Sequence, residues 1–357
     1  IGRPSLYSSL AEAAYLTGVE RNADKVQMVS YAPLIENAAH GKDHLLVLKN
    51  DSVYGRTNYY VLKMFSENRP DVNLHTDLKP ASPEPVFRTN GFIGLGTNNT
   101  EAQFKDLKVI VNGEEIYTSG WSDFVDKWTI IRGDWKMEGN LLSQSQKGID
   151  ALAILEDREF DDCTIELKAK KISGTEGFRI VFGGTDSNNY FMADIGSHTN
   201  ESVIFREVNN EGPISLFDYR NTASIKTDQW YTVRIEIEGA HWKCFLNDEL
   251  QYEYTYAPKK KHYVVSGYDR ERKEVIVKLV NAEAGNWKVR LQLDKAKNLA
   301  SKGTKIVLGA DDRFDENSFS DPLKIVPNVT ELSGISSEFT IDCQANSLTV
   351  LRIPCEK

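Results

Sequence analysis

The sequence predicts a mostly β protein, with a β-sandwich over about residues 86–258, a further strand-rich region after it, and a short N-terminal segment of different character before it. Three observations predict it. Between about residues 86 and 258, short alternating apolar runs recur, separated by Gly, Asn and Asp turns, which is the pattern of half-buried strands in a sandwich. A proline-rich stretch at residues 79–85, KPASPEP, precedes this region and marks a boundary. From His262 the character changes again, but strands resume. The chain of 357 residues is too long for one ordinary domain.

Composition narrows the function. Hydrophobic residues make up 40% of the chain, enough for real cores, and the net charge is -9. That balance argues against a nucleic-acid partner, which needs a basic face. No apolar run approaches the roughly 18 residues of a membrane span. No signal-peptide pattern is seen, and Ile1-Gly-Arg-Pro4 reads as a fragment or processed start. None of the cysteines, Cys163, Cys244, Cys343 and Cys355, has metal-type spacing. Cys163 and Cys244 lie in strand-like runs and read as buried thiols, while Cys343 and Cys355 either pair or stay free.

In chain order, Ser9–Asn37 reads as a buried helix, a turn and a buried strand. Leu10, Ala13, Ala14, Thr17 and Gly18 follow helical spacing. Tyr15, Leu16 and Val19 widen the apolar surface and predict a helix packed on two sides. Asn22-Ala-Asp24 is a turn, and Val26–Tyr31 follows as a strand that Pro33 ends. If nothing pairs with this segment, Leu10, Val19, Val26 and Val29 need a cover, from the host sandwich, another copy or a partner. After the apolar run His44–Leu48, a second helix is expected, with Thr57 as N-cap and Tyr60/Met64 and Val61/Phe65 as i, i+4 pairs. Leu74–Leu78 reads as a strand.

The β region contributes runs at Gly91–Gly96, Phe104–Val111, Thr164–Ala169, Gly177–Phe182, Tyr190–Ile195, Ser202–Val208 and Trp230–Glu238, with tight hairpins at Asn112-Gly113 and Asn247-Asp248. Beyond it, Tyr263–Tyr268, Glu274–Asn281, Trp287–Leu293 and Ser347–Ile353 read as strands, and residues 315–322 as a polar loop.

The wording of several stretches is specific. AEAAYLTGVERNADKVQMVSYAPL at residues 11–34 and YGRTNYYVLKMFS at 54–66 resemble glycoside hydrolase family 51 α-L-arabinofuranosidases, in the region just after the catalytic nucleophile. Arg56 stands where that family has a small or variable residue. VKLVN at 277–281, DENSFSDP at 315–322 and SLTVLR at 347–352 resemble the same family's C-terminal sandwich. The resemblance implies that residues 1–66 are a terminal fragment of a (β/α)8 barrel, and that 67–84 with 259–357 form an accessory sandwich into which 85–258 is inserted.

The insert resembles the concanavalin A/laminin-G-like jelly roll of carbohydrate-binding modules and 3-keto-disaccharide hydrolase-like domains. WKMEGNLL at 135–142, FRIVF at 178–182 with NYF at 189–191, and WYTVRIEIEG at 230–239 with CFLND at 244–248 carry that resemblance. The segment around GFIGLGT and FKDLKV normally closes such a domain but opens it here, as insertion of a rearranged sandwich would produce.

Family members are retaining enzymes with two glutamates about 5 Å apart. In the family both lie upstream of the AEAA helix, so no residue here takes a catalytic role. The resemblance implies a non-catalytic region of an enzyme that releases arabinofuranosyl units from arabinan or arabinoxylan. The implied partners are plant cell-wall polysaccharide or oligosaccharide and the missing barrel segment, in an extracellular or periplasmic setting. A stand-alone glycan-binding module is the alternative. A sandwich with its own glycosidase activity is another, although no carboxylate pair stands out.

Tyr31, at the end of the expected barrel strand, either lines the sugar site or packs between strand and helix. Glu12 and Glu20 read as makers of structural hydrogen bonds. Glu36 has a weak claim to substrate contact, because barrel active sites sit at strand C-termini. Sugar binding in the insert needs exposed aromatic faces beside polar groups. The aromatic candidates are Trp121, Trp128, Trp135, Tyr190, Tyr219 and Trp242. Their polar partners are Arg179, Asp186, Asn189, Asp194 and Arg220. Arg179, Tyr190 and Asp194 are preferred, because alternation on adjacent strands places all three on one face. Trp230 reads as core, and Trp128 and Trp135 have the core as their plainer reading. No cofactor is expected. A structural calcium at Asp311, Asp312, Asp315 and Glu316 is the exception considered, although EF-hand spacing is lacking, and the scattered histidines make zinc a poor fit.

Overall fold

The computed structural model describes residues 5–39, 44–80, 86–119, 121, 123–210, 212–216, 223–294 and 296–355. The chain divides into two compact units, Ile1–Pro83 with Lys259–Lys357, and Glu84–Pro258.

The central unit is a two-sheet sandwich. One sheet runs Gly212–Leu216, Ser202–Asn209, Asn189–Gly196, Phe178–Asp186, Asn90–Asn98, Asp150–Asp161, Trp128–Arg132. The other runs Glu249–Thr255, His241–Leu246, Trp230–Glu238, Thr164–Gly174, Thr100–Val111, Leu141–Gln144, Trp135–Glu138, with Glu114–Ser119 also on Thr100–Val111. The alternation in the sequence sets what each strand buries. Ile93 and Leu95, Ile180 and Phe182, and Ala193 and Ile195 meet Phe104, Ile165, Leu167, Val233, Ile235 and Trp242 between the sheets. The expected hairpins form where Asn112 and Gly113 (φ 50° and 84°) and Asn247 and Asp248 (φ 51° and 65°) supply positive φ, the backbone that two-residue hairpins need.

In the other unit, alternation sorts side chains onto two faces of a six-stranded sheet. Ile276 and Val280 of strand Glu274–Asn281, with Leu348 and Val350 of Ser347–Pro354, face two helices. The helices are α1 (Leu6–Arg21) and α2 (Thr57–Glu67). Val277, Leu279, Leu351 and Ile353 face the other way, onto the two-stranded sheet of Trp287–Gln292 and Glu338–Cys343. Leu6, Leu10, Ala13 and Leu16 dock α1 with Val61, Met64 and Phe65 of α2. Thus Leu10 finds its cover on the sandwich sheet and α2, whereas Tyr15 points outward, 66% exposed. Ser5 caps α1 through a capping box with Ser8.

Three sequence expectations are corrected. Val26–Tyr31 is not a strand. It has no ladder partner among the described residues, and Val26, Met28 and Val29 are exposed; a lone extended segment has nowhere to place its backbone bonds except water. The strand expected at Leu74–Leu78 is Val72–Leu74, paired with His262–Asp269. It stops where the Thr76 hydroxyl engages Leu74 O and Ser266 Oγ. Thr57 is the first helical residue of α2, and Arg56 takes the cap position; the Thr57 hydroxyl lies 2.6 Å from Ser9 Oγ of α1 instead. Of the two readings open for Cys343 and Cys355, the free one holds: all four cysteines are free and buried.

Candidate functional site

The preferred sugar-site residues come together on the sheet face that points away from the central core. Strands Phe178–Asp186 and Asn189–Gly196 pair with Arg179 opposite Asp194 and Val181 opposite Met192. Tyr190, two and four residues before Met192 and Asp194, shares their face. There Phe92, Leu152, Ile154, Val181, Tyr190 and Met192 form a second apolar cluster. The polar residues continue this row.

Asp194 is 2% exposed. Arg179 Nε donates to its Oδ1 at 3.1 Å, and Arg206 Nε to its Oδ2 at 2.6 Å. Arg206 is held in turn by Ser215 and Ser197 Oγ, each at 2.7 Å. Arg179 also donates to Asp150 and lies 4.0 Å from Glu176, which accepts from Asn98 at 3.1 Å. Burial by itself would raise the Asp194 carboxyl, but Arg179 and Arg206 outweigh it and hold it below the ordinary carboxylate value. The same carboxylates, Asp194 and Asp150, raise Arg179 against its own burial. Burial, then Asp150, raises the Tyr190 hydroxyl.

The network runs from a buried centre to an open rim. The Asp150 side chain is 50% exposed, and Arg132, 3.5 Å from it, is 39% exposed. Such an array presents fixed donors and acceptors but is poorly suited to proton transfer. Asp194 stays ionised between two guanidiniums, and a general acid needs a proton to give. Tyr190, 5% exposed, packs its ring into the apolar cluster and offers no stacking face. The open rim of the network is therefore Asp150 and Arg132, with Arg179 and Asp194 behind them.

Burial corrects Trp121 and Trp242 as candidates and bears out the core reading of Trp128 and Trp135. Trp121 and Trp242 are fully buried, and Trp128 and Trp135 nearly so; their faces pack against Phe124, Phe104, Phe182 and one another. Asp186 and Asn189 bond each other across the hairpin turn. Tyr219 and Arg220 lie outside the described residues. Trp230, expected in the core, lies half-buried on the outer face of the other sheet, with Lys105 and Lys170 over its ring. The signal was present in WYTVRIEIE: Trp230 alternates with Thr232, Arg234 and Glu236, while Tyr231, Val233, Ile235 and Ile237 are the buried set.

In the other unit, the Tyr31 hydroxyl lies 3.4 Å from Glu12 Oε1 and accepts from Asn58 Nδ2 at 3.0 Å. Burial raises the Glu12 carboxyl, partly offset by bonds from Asn58 and Tyr31. Glu20 receives the fully buried Lys278 ammonium at 2.5 and 2.7 Å. Glu36 lies 3.2 Å from His44 Nδ1. In the acidic loop, Asp315 pairs with Lys324 at 2.6 Å, Glu316 with Arg56 at 2.9 Å, and Asp312 caps Phe314 N. Among the described residues no group of three or more His, Cys, Asp or Glu is disposed to hold a metal ion.

These features define a two-unit β-sandwich protein whose central unit carries a fixed polar face and whose other unit carries a helical layer. A family model described as the α-L-arabinofuranosidase C-terminal domain matches residues 2–347, and the chain belongs to that family. An extracellular exo-α-L-arabinofuranosidase of Streptomyces chartreusis is 28% identical over 352 residues, covering 97% of this chain and 42% of the relative. α-L-Arabinofuranosidase 1 of Arabidopsis thaliana is 32% identical over 181 residues, 48% of this chain and 26% of the relative. The chain thus spans less than half the length of these relatives. The solved structure of arabinose-bound MgGH51 α-L-arabinofuranosidase aligns over 100% of this chain and 28% of its own, at 13% identity and a TM-score of 0.45.

Proposed function

We propose that this chain is the non-catalytic C-terminal region of an α-L-arabinofuranosidase that removes terminal arabinofuranosyl residues from arabinan or arabinoxylan by a retaining mechanism. The observation that carries this is the family match across both units. In this reading the two catalytic glutamates lie in a barrel segment outside the chain. Residues 1–66 belong to that barrel's end, residues 67–84 with 259–357 form the accessory sandwich, and residues 85–258 are an inserted glycan-binding sandwich. The exposed Val26, Met28, Val29, Leu34 and Ile35 support a segment that packs on further barrel elements. Tyr31, fixed by Glu12 and Asn58, would then line the sugar site. In the insert, Arg179, Tyr190 and Asp194 position Asp150 and Arg132 to hold a neutral arabinoxylan chain. The name of the Streptomyces relative supports an extracellular setting.

Hydrolysis of p-nitrophenyl α-L-arabinofuranoside tests the first part. The chain alone gives no turnover, and turnover by the chain would place a catalytic carboxylate pair inside residues 86–258. Affinity electrophoresis in arabinoxylan tests the second. The chain is retarded, and Asp150→Ala with Arg132→Ala removes most of the retardation; equal mobility with and without arabinoxylan refutes the glycan-binding role.

A further inference from the structure

The outer face of the eight-stranded sheet carries a different surface from the Arg179 network. Cross-strand register aligns Trp230, Lys170 and Gln103 in one row across three strands, and Thr232, Lys168 and Lys105 in the next. The Lys105 ammonium lies 4.2 Å from the Trp230 ring centroid and that of Lys170 at 5.1 Å. Neighbouring cations on this face each have a carboxylate: Lys168 pairs with Asp106 at 3.1 Å, Lys108 with Glu115 at 2.5 Å, and Arg234 with Glu236. Among the described residues, Lys105 and Lys170 have no ion-pair partner; their ammoniums rest on the indole. Two uncompensated positive charges thus sit on one tryptophan in a chain of net charge -9.

We propose that Trp230, Lys105, Lys170 and Gln103 form a binding site for a carboxylate-bearing saccharide, a uronic-acid unit of a polysaccharide. The chemistry follows from the arrangement. A cation over an aromatic face is weakly held at a half-exposed site, so the two ammoniums can leave the ring for a carboxylate, which offers each a charge-assisted hydrogen bond. The indole then presents its face to the C–H face of the sugar ring. Gln103, whose side chain among the described residues makes one 3.4 Å bond, to Ser143, can turn to meet a hydroxyl. A neutral sugar would leave both ammoniums without a counter-charge, and a small inorganic anion would not use the ring. The proposal rests on the reading of this unit as glycan-binding but assigns a separate face and a different substrate class.

The test is isothermal titration calorimetry on the full chain with trigalacturonate, with a neutral arabinoxylo-oligosaccharide as the second probe. Trigalacturonate binds, and its Kd rises at least tenfold in Trp230→Ala and in Lys105→Gln/Lys170→Gln, and also with added salt. Binding of the neutral probe is unchanged in both variants and depends on Asp150 and Arg132. The lysine pair lies on the surface, so that variant reports even where the tryptophan variant fails to fold. Absence of trigalacturonate binding, or a change below threefold in the lysine variant, overturns the site. If Trp230→Ala binds as wild type, the attraction is charge alone and the saccharide site is refuted. Loss of the neutral arm with the uronate arm intact refutes the Arg179-face reading and leaves this one standing.

Discussion

Asp194 shows what burial does to a single residue. A carboxylate at 2% exposure survives because two guanidiniums neutralise it. Asp194→Asn leaves both arginines short of a counter-charge, and removing one partner of a buried ion network costs about 3–5 kcal/mol. A lowered urea midpoint at unchanged slope will show it. The pH dependence has a definite sign. A carboxyl held below its ordinary value adds stability above its unfolded pKa, about 3.9, and loses it as pH falls through the folded value. The wild type therefore loses stability below about pH 4, and Asp194→Asn has a shallower acid limb in a pH series of melting temperatures. Lys278 and Glu20 make a second such case, since burial lowers the lysine and raises the glutamate against their mutual attraction. Lys278→Met alone should cost more than the paired Lys278→Met/Glu20→Gln, which leaves no lone charge; a double-mutant cycle that is additive would show the pair to be uncoupled.

At the scale of elements, pattern and partner separate. The spacing of Leu6, Leu10 and Ala13 places them on one side of α1, but the sheet face of Ile276, Val280, Leu348 and Val350 makes the helix stable. Leu10→Ala is expected to cost about 2–5 kcal/mol, the usual price of a buried leucine. Ser5→Ala should cost about 1 kcal/mol through the lost cap. Both are read by chemical denaturation, and a Leu10 effect no larger than the Ser5 effect would contradict the packing. The strand expected at Val26–Tyr31 has the opposite fate. Its β-branched residues are legible, but a strand is a relation between two segments, and no partner exists among the described residues. Trp230–Glu238 and Glu274–Asn281, by contrast, were legible to the residue, because neighbours on both sides complete their ladders.

At the scale of the whole molecule, the cores do not mix. The clusters around Phe104 and Trp242 and around Val181 and Met192 belong to Glu84–Pro258. Those around Leu10 and around Val277 belong to the discontinuous unit. Separate cores predict two calorimetric transitions. Trp242→Ala, expected to cost about 3–5 kcal/mol, should lower one of them and Leu10→Ala the other. A single transition that both substitutions shift equally would show the units to unfold as one.

The fold class, seven strands of the central sandwich, its Asn-Gly and Asn-Asp hairpins and the family were legible in the residue order alone. These rest on periodicity and local turn chemistry, which a linear string carries in full. Residue order also placed Arg179, Tyr190 and Asp194 on one face, since alternation is local. Tertiary structure alone decided that Tyr190 is packed away, that Asp194 is shared by two arginines, and that the indoles of Trp121 and Trp242 are core. It alone set two lysines over the Trp230 ring. The physical reason is common to all four: exposure and ionic partnership depend on which distant strands become neighbours, and that is set by pairing across the sheets.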